Sequence, residues 1–111
     1  LNNNVAVKKQ NEIRITRNKF PEVAEMLKSM AHPERLAILE LLNNCMCKRM
    51  TVKSIYEQLK LDQPVASKHL GIMKRSGLLT RETEGNSTYF SLNQNNAITA
   101  CFSRCLKSSH D

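Results

Sequence analysis

Tryptophan is absent from these 111 residues, and tyrosine and phenylalanine together number five. Proteins that bind single strands or read RNA stack bases on exposed aromatic rings, so this scarcity weighs against both classes. It weighs equally against a membrane-surface helix, which sets large apolar side chains opposite lysines. No apolar run approaches the roughly 20 residues that span a bilayer. The opening LNNNVAVKKQ lacks the apolar core of a signal peptide. The chain is therefore expected in the cytoplasm, with no membrane partner. Glycine is also scarce, with three in all and no Gly-rich phosphate loop. The three histidines, His32, His69 and His110, are scattered. No Ser/His/Asp or paired-carboxylate grouping accompanies them, so no enzyme is expected.

The scarcity that matters most is of negative charge. Lysine and arginine number 17 against 10 acids, a net charge of +7. Residues 63–81, QPVASKHLGIMKRSGLLTR, contain no acid at all. A basic surplus of this size points to nucleic acid or an anionic surface. With the aromatic-dependent partners disfavoured, duplex DNA remains. The length suits one domain with a core large enough to fold.

Residues 1–19 hold Lys8, Lys9, Arg14, Arg17 and Lys19 against Glu12 alone, and read as a flexible basic arm. The rest, 20–108, reads as a single DNA-binding and dimerisation domain. A first helix is predicted from Pro21 to Met30, with Phe20, Val23, Leu27 and Met30 at helical spacing. Pro33 opens a second, turning Leu36, Leu39, Leu41 and Leu42 inward. NNCMCKRM is irregular. Thr51 then caps a short helix carrying Val52, Ile55, Tyr56 and Leu59. Leu61-Asp62 makes a tight turn, and Asp62 is placed to cap a fourth helix with Pro64 in its first turn. Ala66, Leu70 and Met73 form its buried stripe, and Gly77 stands where a helix end wants a left-handed residue. LLTRET and STYFSL flank Glu84-Gly85-Asn86 as a hairpin. A last helix, from Asn95 to about Lys107, sets Ile98, Cys101, Phe102 and Cys105 on one face.

Two short helices joined by a tight turn make a helix-turn-helix, and the hairpin adds a wing. The fold class is thus mainly α with a β-hairpin. A helix fits the major groove and its exposed side chains reach base edges. Opposite the buried stripe the fourth helix presents Gln63, Pro64, Ser67, Lys68 and Gly71. Gln63 suits an adenine edge, Ser67 a base or phosphate, and Lys68 a guanine or phosphate. Gly71 sacrifices about 1 kcal/mol of helix stability relative to alanine, which close approach to a duplex would explain. Lys74 and Arg75 suit phosphates, and Arg81, Asn86 and Ser87 suit the minor groove or backbone. The competing reading is a solvated helix face, or a winged helix that binds protein instead. Such a module usually has acidic or apolar residues on that face, and this one has neither.

MLKSMAHPERLAILELL, TVKSIYEQLKLDQPVASKHLGIMKRSGLL and the hairpin ending in TYFSL resemble the ArsR/SmtB family of bacterial winged-helix repressors. The most specific piece is QPVASKHLGIMKRSGLL, close to that family's QPTVSRHLxxLRxxGLV. The resemblance implies a homodimer with its first and last helices as interface. It also implies that genes stay repressed until an effector loosens the grip on an operator, and a two-fold dimer is expected to recognise an inverted repeat. His69 matches the family's recognition-helix histidine, which makes it a DNA-contacting or cap residue and not a metal ligand.

Family members sense metals, metalloids or oxidants through thiols and imidazoles, and here the chain departs from the pattern. Thr51 and Lys53 stand where the arsenic and cadmium sensors carry Cys-x-Cys. Gln94, Asn96, Lys107 and His110 occupy the zinc positions, and Glu40 the persulfide cysteine. What remains is Cys45/Cys47 and Cys101/Cys105. Cys45 and Cys47 lie in a connection longer than the family usually has, where two thiolates can turn towards one soft ion. Lys48 and Arg49 nearby favour the thiolate form. Cys101 and Cys105, at i and i+4, suit either one shared ion or two small apolar residues in an interface. A soft metal, metalloid or oxidant is the effector this leaves open, beside a regulator with no thiol sensing. No cofactor is otherwise implied.

Overall fold

The computed structural model describes residues 15–107. Most of the basic arm, and His110, lie outside the described residues. Within the arm as delimited, Arg17–Lys19 form a 3-10 turn leading into α1, Phe20–Met30. There follow α2 (Pro33–Asn44), β1 (Met50–Thr51), α3 (Val52–Leu59) and α4 (Gln63–Arg75). The strands β2 (Leu79–Glu84) and β3 (Ser87–Leu92) come next, and α5 (Ala97–Lys107) ends the order. Each of the chain's three prolines sits in the first turn of a helix, α1, α2 or α4. There the missing N–H breaks no hydrogen bond and the fixed φ is already helical.

Local chemistry sets the other boundaries. His32 caps α2, its Nδ1 accepting from the backbone N–H of Glu34 at 3.1 Å, and the Thr51 hydroxyl accepts from Ser54 N–H at 3.1 Å to cap α3. Asp62 occupies the N-cap of α4 but makes no side-chain capping bond, contrary to expectation. Its carbonyl instead takes Ala66 N–H at 3.0 Å. Between α3 and α4, Lys60 adopts φ 57°, and Leu61 N–H returns to Tyr56 C=O to reverse the chain in three residues. Gly77, at φ 95°, ends α4 as the sequence predicts. The last helix begins two residues later than the predicted Asn95. Asn96 is its cap, with Oδ1 accepting from Ile98 and Thr99 N–H at 2.8 and 3.1 Å.

The core gathers Ile38, Leu39 and Leu42 of α2, Ile55 of α3, Leu70 and Met73 of α4, and Leu78, all essentially inaccessible. Leu36, expected inward, is 39% exposed, because residues 38, 39 and 42 take the inner face of α2. The hairpin is joined by a third strand that local patterning does not reveal. β1 pairs antiparallel with β3, in the order β1-β3-β2, through Met50↔Phe90 and Thr51↔Tyr89. NNCMCKRM therefore ends in a strand, with buried Met50 facing buried Phe90. Among the described residues no helix is long and apolar enough to cross a membrane.

Candidate nucleic-acid interface

The exposed side of α4 carries Gln63, Pro64, Ser67, Lys68, Lys74 and Arg75, all open to solvent, with half-buried Gly71 among them. Ala66, Leu70 and Met73 turn the opposite side into the core. Gln63 shares an open cleft of about 400 Å³ with Asn86 and Ser87 of the wing. The start of the helix and the tip of the hairpin thus border one groove. Lys53, exposed on the first turn of α3, lines the same cleft. Sequence patterning did not single it out for this role. Its place two residues after the Thr51 cap, next to a helix N-terminus that favours anions, was the available signal.

Gly71 has a second neighbour besides solvent. A Cβ there would stand 3.3 Å from Nη1 of Arg75, whose side chain folds back along the helix. Arg75 also borders a cleft of about 380 Å³ between α1 and α4, with Lys28 and Arg35 on its walls. Arg81 is exposed on β2, directly opposite Phe90 in the sheet register.

His69 is not on this face. It is only 6% exposed, and both ring nitrogens are engaged inside the protein. Arg35 Nε–H donates to Nδ1 at 3.0 Å, so Nε2 carries the proton and donates to Glu34 Oε1, also at 3.0 Å. Arg35 reaches on to Ser29 C=O through Nη1, and the His32 ring lies 4.6 Å from that of His69, centroid to centroid. The expectation of a DNA-contacting His69 is corrected: the residue ties α4 to the start of α2. His32, Glu34 and His69 bring ligand-type atoms within 4.8 Å of one another. Arg35 argues against a cation there. Its N–H on Nδ1 leaves that nitrogen unable to hold the proton that metal binding at Nε2 would move to it.

Among the described residues no cysteine joins a cluster of three or more ligand-type side chains. Cys45 is half-buried against the core, and its thiol donates to Leu42 C=O at 3.5 Å and Arg49 C=O at 3.9 Å. Cys47 is exposed, as are Cys101 and Cys105 on α5. Among the positions aligned with zinc ligands, Asn96 is committed to capping α5 and to Gly77 C=O, to which its Nδ2 donates at 3.0 Å.

One further cation stands out on the wing. The Arg49 guanidinium lies 4.0 Å over the Tyr89 ring and pairs with Glu84 at 2.6 Å and Glu82 at 3.6 Å. The hydrogen bond to Glu84 and the charges of both glutamates raise its pKa further, so it stays charged throughout the working range.

Helix, tight turn, acid-free helix and three-stranded wing define a winged helix-turn-helix. Residues 32–81 match the family described as "Bacterial regulatory protein, arsR family". The transcriptional repressor PagR of Bacillus anthracis is 43% identical over 70 residues, spanning 63% of this chain and 68% of PagR. Its crystal structure superposes with a TM-score of 0.71 at 34% identity, covering 82% of this chain and 99% of that one. An uncharacterised HTH-type transcriptional regulator of Methanocaldococcus jannaschii, MJ1325, is 38% identical over 74 residues, or 65% of this chain and 79% of its own length. The arsenical resistance operon repressor of Staphylococcus xylosus is 30% identical over 67% of this chain and 68% of its own. The chain belongs to the ArsR family of bacterial regulatory proteins, and it is a DNA-binding transcriptional regulator.

Proposed function

We propose that a homodimer of this chain represses transcription in the cytoplasm by setting α4 of each protomer into the major groove of an inverted repeat. The observation that carries this reading is the exposed, acid-free face of α4 sharing a cleft with the wing tip. Gln63, Ser67 and Lys68 read base edges, with Pro64 and Gly71 letting the helix approach. Lys74, Arg75 and Lys53 hold phosphates, and Arg81, Asn86 and Ser87 meet the flanking duplex. The half-sites lie about one or two helical turns apart. The second protomer covers α1 and α5, where Phe20 and Leu27 are half exposed and Cys101 and Cys105 face solvent.

Titrating salt against a labelled duplex tests the electrostatic part. Lys74→Ala is expected to weaken binding equally on operator and mixed-sequence DNA, lowering the slope of log affinity against log salt by about one. An unchanged slope would remove Lys74 from the contact set.

Thiol sensing rests first on exposed Cys47, since the second protomer covers Cys101 and Cys105 and Cys45 is half-buried. Soft reagents attack accessible thiols first. Arsenite, cadmium, copper(I) or peroxide is therefore expected to lower the duplex affinity of the reduced protein. Equal affinity across all four would leave a regulator with no thiol effector.

A further inference from the structure

The wing poses an electrostatic problem that the rest of the molecule does not. Its hairpin, residues 79–92, holds one cation, Arg81, and two carboxylates, Glu82 and Glu84, in a chain otherwise strongly basic. Duplex DNA carries one negative charge per roughly 1.7 Å of axis. Two free carboxylates on a wing laid against it would be repelled.

The sheet register shows how the conflict is resolved. Glu82 stands opposite Tyr89 and Glu84 opposite Ser87, so both glutamates share the outer face with the Tyr89 ring. Thr51 of β1 pairs with Tyr89 on that same face, while Met50 turns inward against Phe90. Alternation along β1 therefore directs the preceding residue, Arg49, outward. Its side chain crosses β3 over the Tyr89 ring and ends between Glu82 and Glu84 on β2. The side chain thus reaches across all three strands, and its guanidinium meets both carboxylates.

The loop before β1 is built to present it. Lys48 takes a left-handed φ of 64°, its N–H returns to Cys45 C=O at 3.2 Å, and its Nζ donates to Asn43 C=O at 2.8 Å. The Cys45 thiol lies against the Arg49 carbonyl. Arg49 itself is only about a third exposed, against nearly two thirds for each glutamate. It is the held partner and they are the ones gathered in.

We propose that Arg49 is a charge-compensating, positioning residue for DNA binding, holding Glu82 and Glu84 against the sheet so that an otherwise acidic wing can approach the duplex. This rests on the DNA-binding reading of α4 and the wing, and deepens it. Arg49 acts through the two carboxylates and contacts no phosphate itself.

A mutant cycle on the full chain tests it, with binding to a fluorescein-labelled mixed-sequence duplex read by anisotropy at low salt and folding followed by circular dichroism. Arg49→Gln is expected to weaken binding about five- to tenfold, by exposing two carboxylates to the phosphates. In the parent, Glu82→Gln with Glu84→Gln should change affinity by less than about threefold, because Arg49 already masks them. Added to Arg49→Gln, the same pair should restore affinity to within about twofold of the Glu82→Gln/Glu84→Gln chain. A purely structural arginine, or one that touches phosphate, gives no such rescue. Where Arg49→Gln fails to fold, Arg49→Met runs the same cycle, because it keeps an apolar stem to lie over the Tyr89 ring and removes the charge. Rescue supports the clamp. Parent-like binding by the Arg49 variant, or a triple variant as weak as Arg49→Gln, overturns the clamp and leaves DNA binding standing. A parent chain that binds no duplex overturns both.

Discussion

Replacing His69 by leucine is expected to cost about 1–3 kcal/mol of folding stability, the net worth of the two part-buried hydrogen bonds to charged side chains that the ring makes. In a domain of this size that corresponds to roughly 4–8 °C of melting temperature per kcal/mol. The physical reason lies in what the ring holds. Its Nδ1 accepts from Arg35 and its Nε2 donates to Glu34, so one imidazole joins the middle of α4 to the first turn of α2. Leucine fills the space but leaves the Arg35 Nε–H and a Glu34 oxygen without this partner. Two polar substitutions separate the ring's roles. Asparagine offers an acceptor near the position of Nδ1 and should keep Arg35 in place. Glutamine reaches towards Nε2 and should keep Glu34. Thermal melts of the three variants are expected to rank leucine lowest, with asparagine and glutamine between it and the parent. DNA affinity should fall with them, since α4 loses one of the ties that fix its angle. A His69→Leu chain that melts with the parent yet no longer binds DNA would return His69 to the groove.

The misplacement of His69 shows where sequence reasoning works and where it slips. Ala66, Leu70 and Met73 give the buried stripe of α4 correctly, and residue 69 stands at i+3 from Ala66 and four before Met73. Periodicity alone therefore assigns it to the buried face. Only the resemblance to a family histidine places it in the groove. The helices themselves were legible because prolines, Thr51 and Gly77 act locally. Leu36 is as apolar as its neighbours but out of phase with Ile38, Leu39 and Leu42, and so lies outside. β1 was invisible for a different reason. It is two residues long, and its pairing with Phe90 and Tyr89 is a contact some forty residues away that no local pattern encodes. The same holds for Arg49, which beside Cys47 and Lys48 reads only as a thiol-activating charge. Its partners, Glu82 and Glu84, become visible only once β1 lies next to β3.

Lys68→Ala is expected to cause the larger loss in DNA binding with no loss in fold. Lys68 follows Ser67 on the exposed side of α4, adjacent in sequence to His69 but turned away from the core. Truncating an exposed lysine usually changes stability by no more than about 0.5 kcal/mol, so the melting curve should overlay the parent's. A lysine on a guanine edge contributes about 1–3 kcal/mol of discrimination, which at the upper end is a loss of more than a hundredfold on the operator. On mixed-sequence duplex the same variant loses only one phosphate-attracting charge, so the ratio of operator to mixed-sequence affinity should narrow. That narrowing separates a base contact from Lys74, for which both affinities fall together. The neighbouring pair 68 and 69 thus makes an internal control, one substitution moving specificity at constant stability and the other moving stability. If Lys68→Ala leaves both affinity and specificity at parental values while the protein stays folded, α4 does not enter the groove, and the acid-free face of residues 63–81 must be explained by another anionic partner.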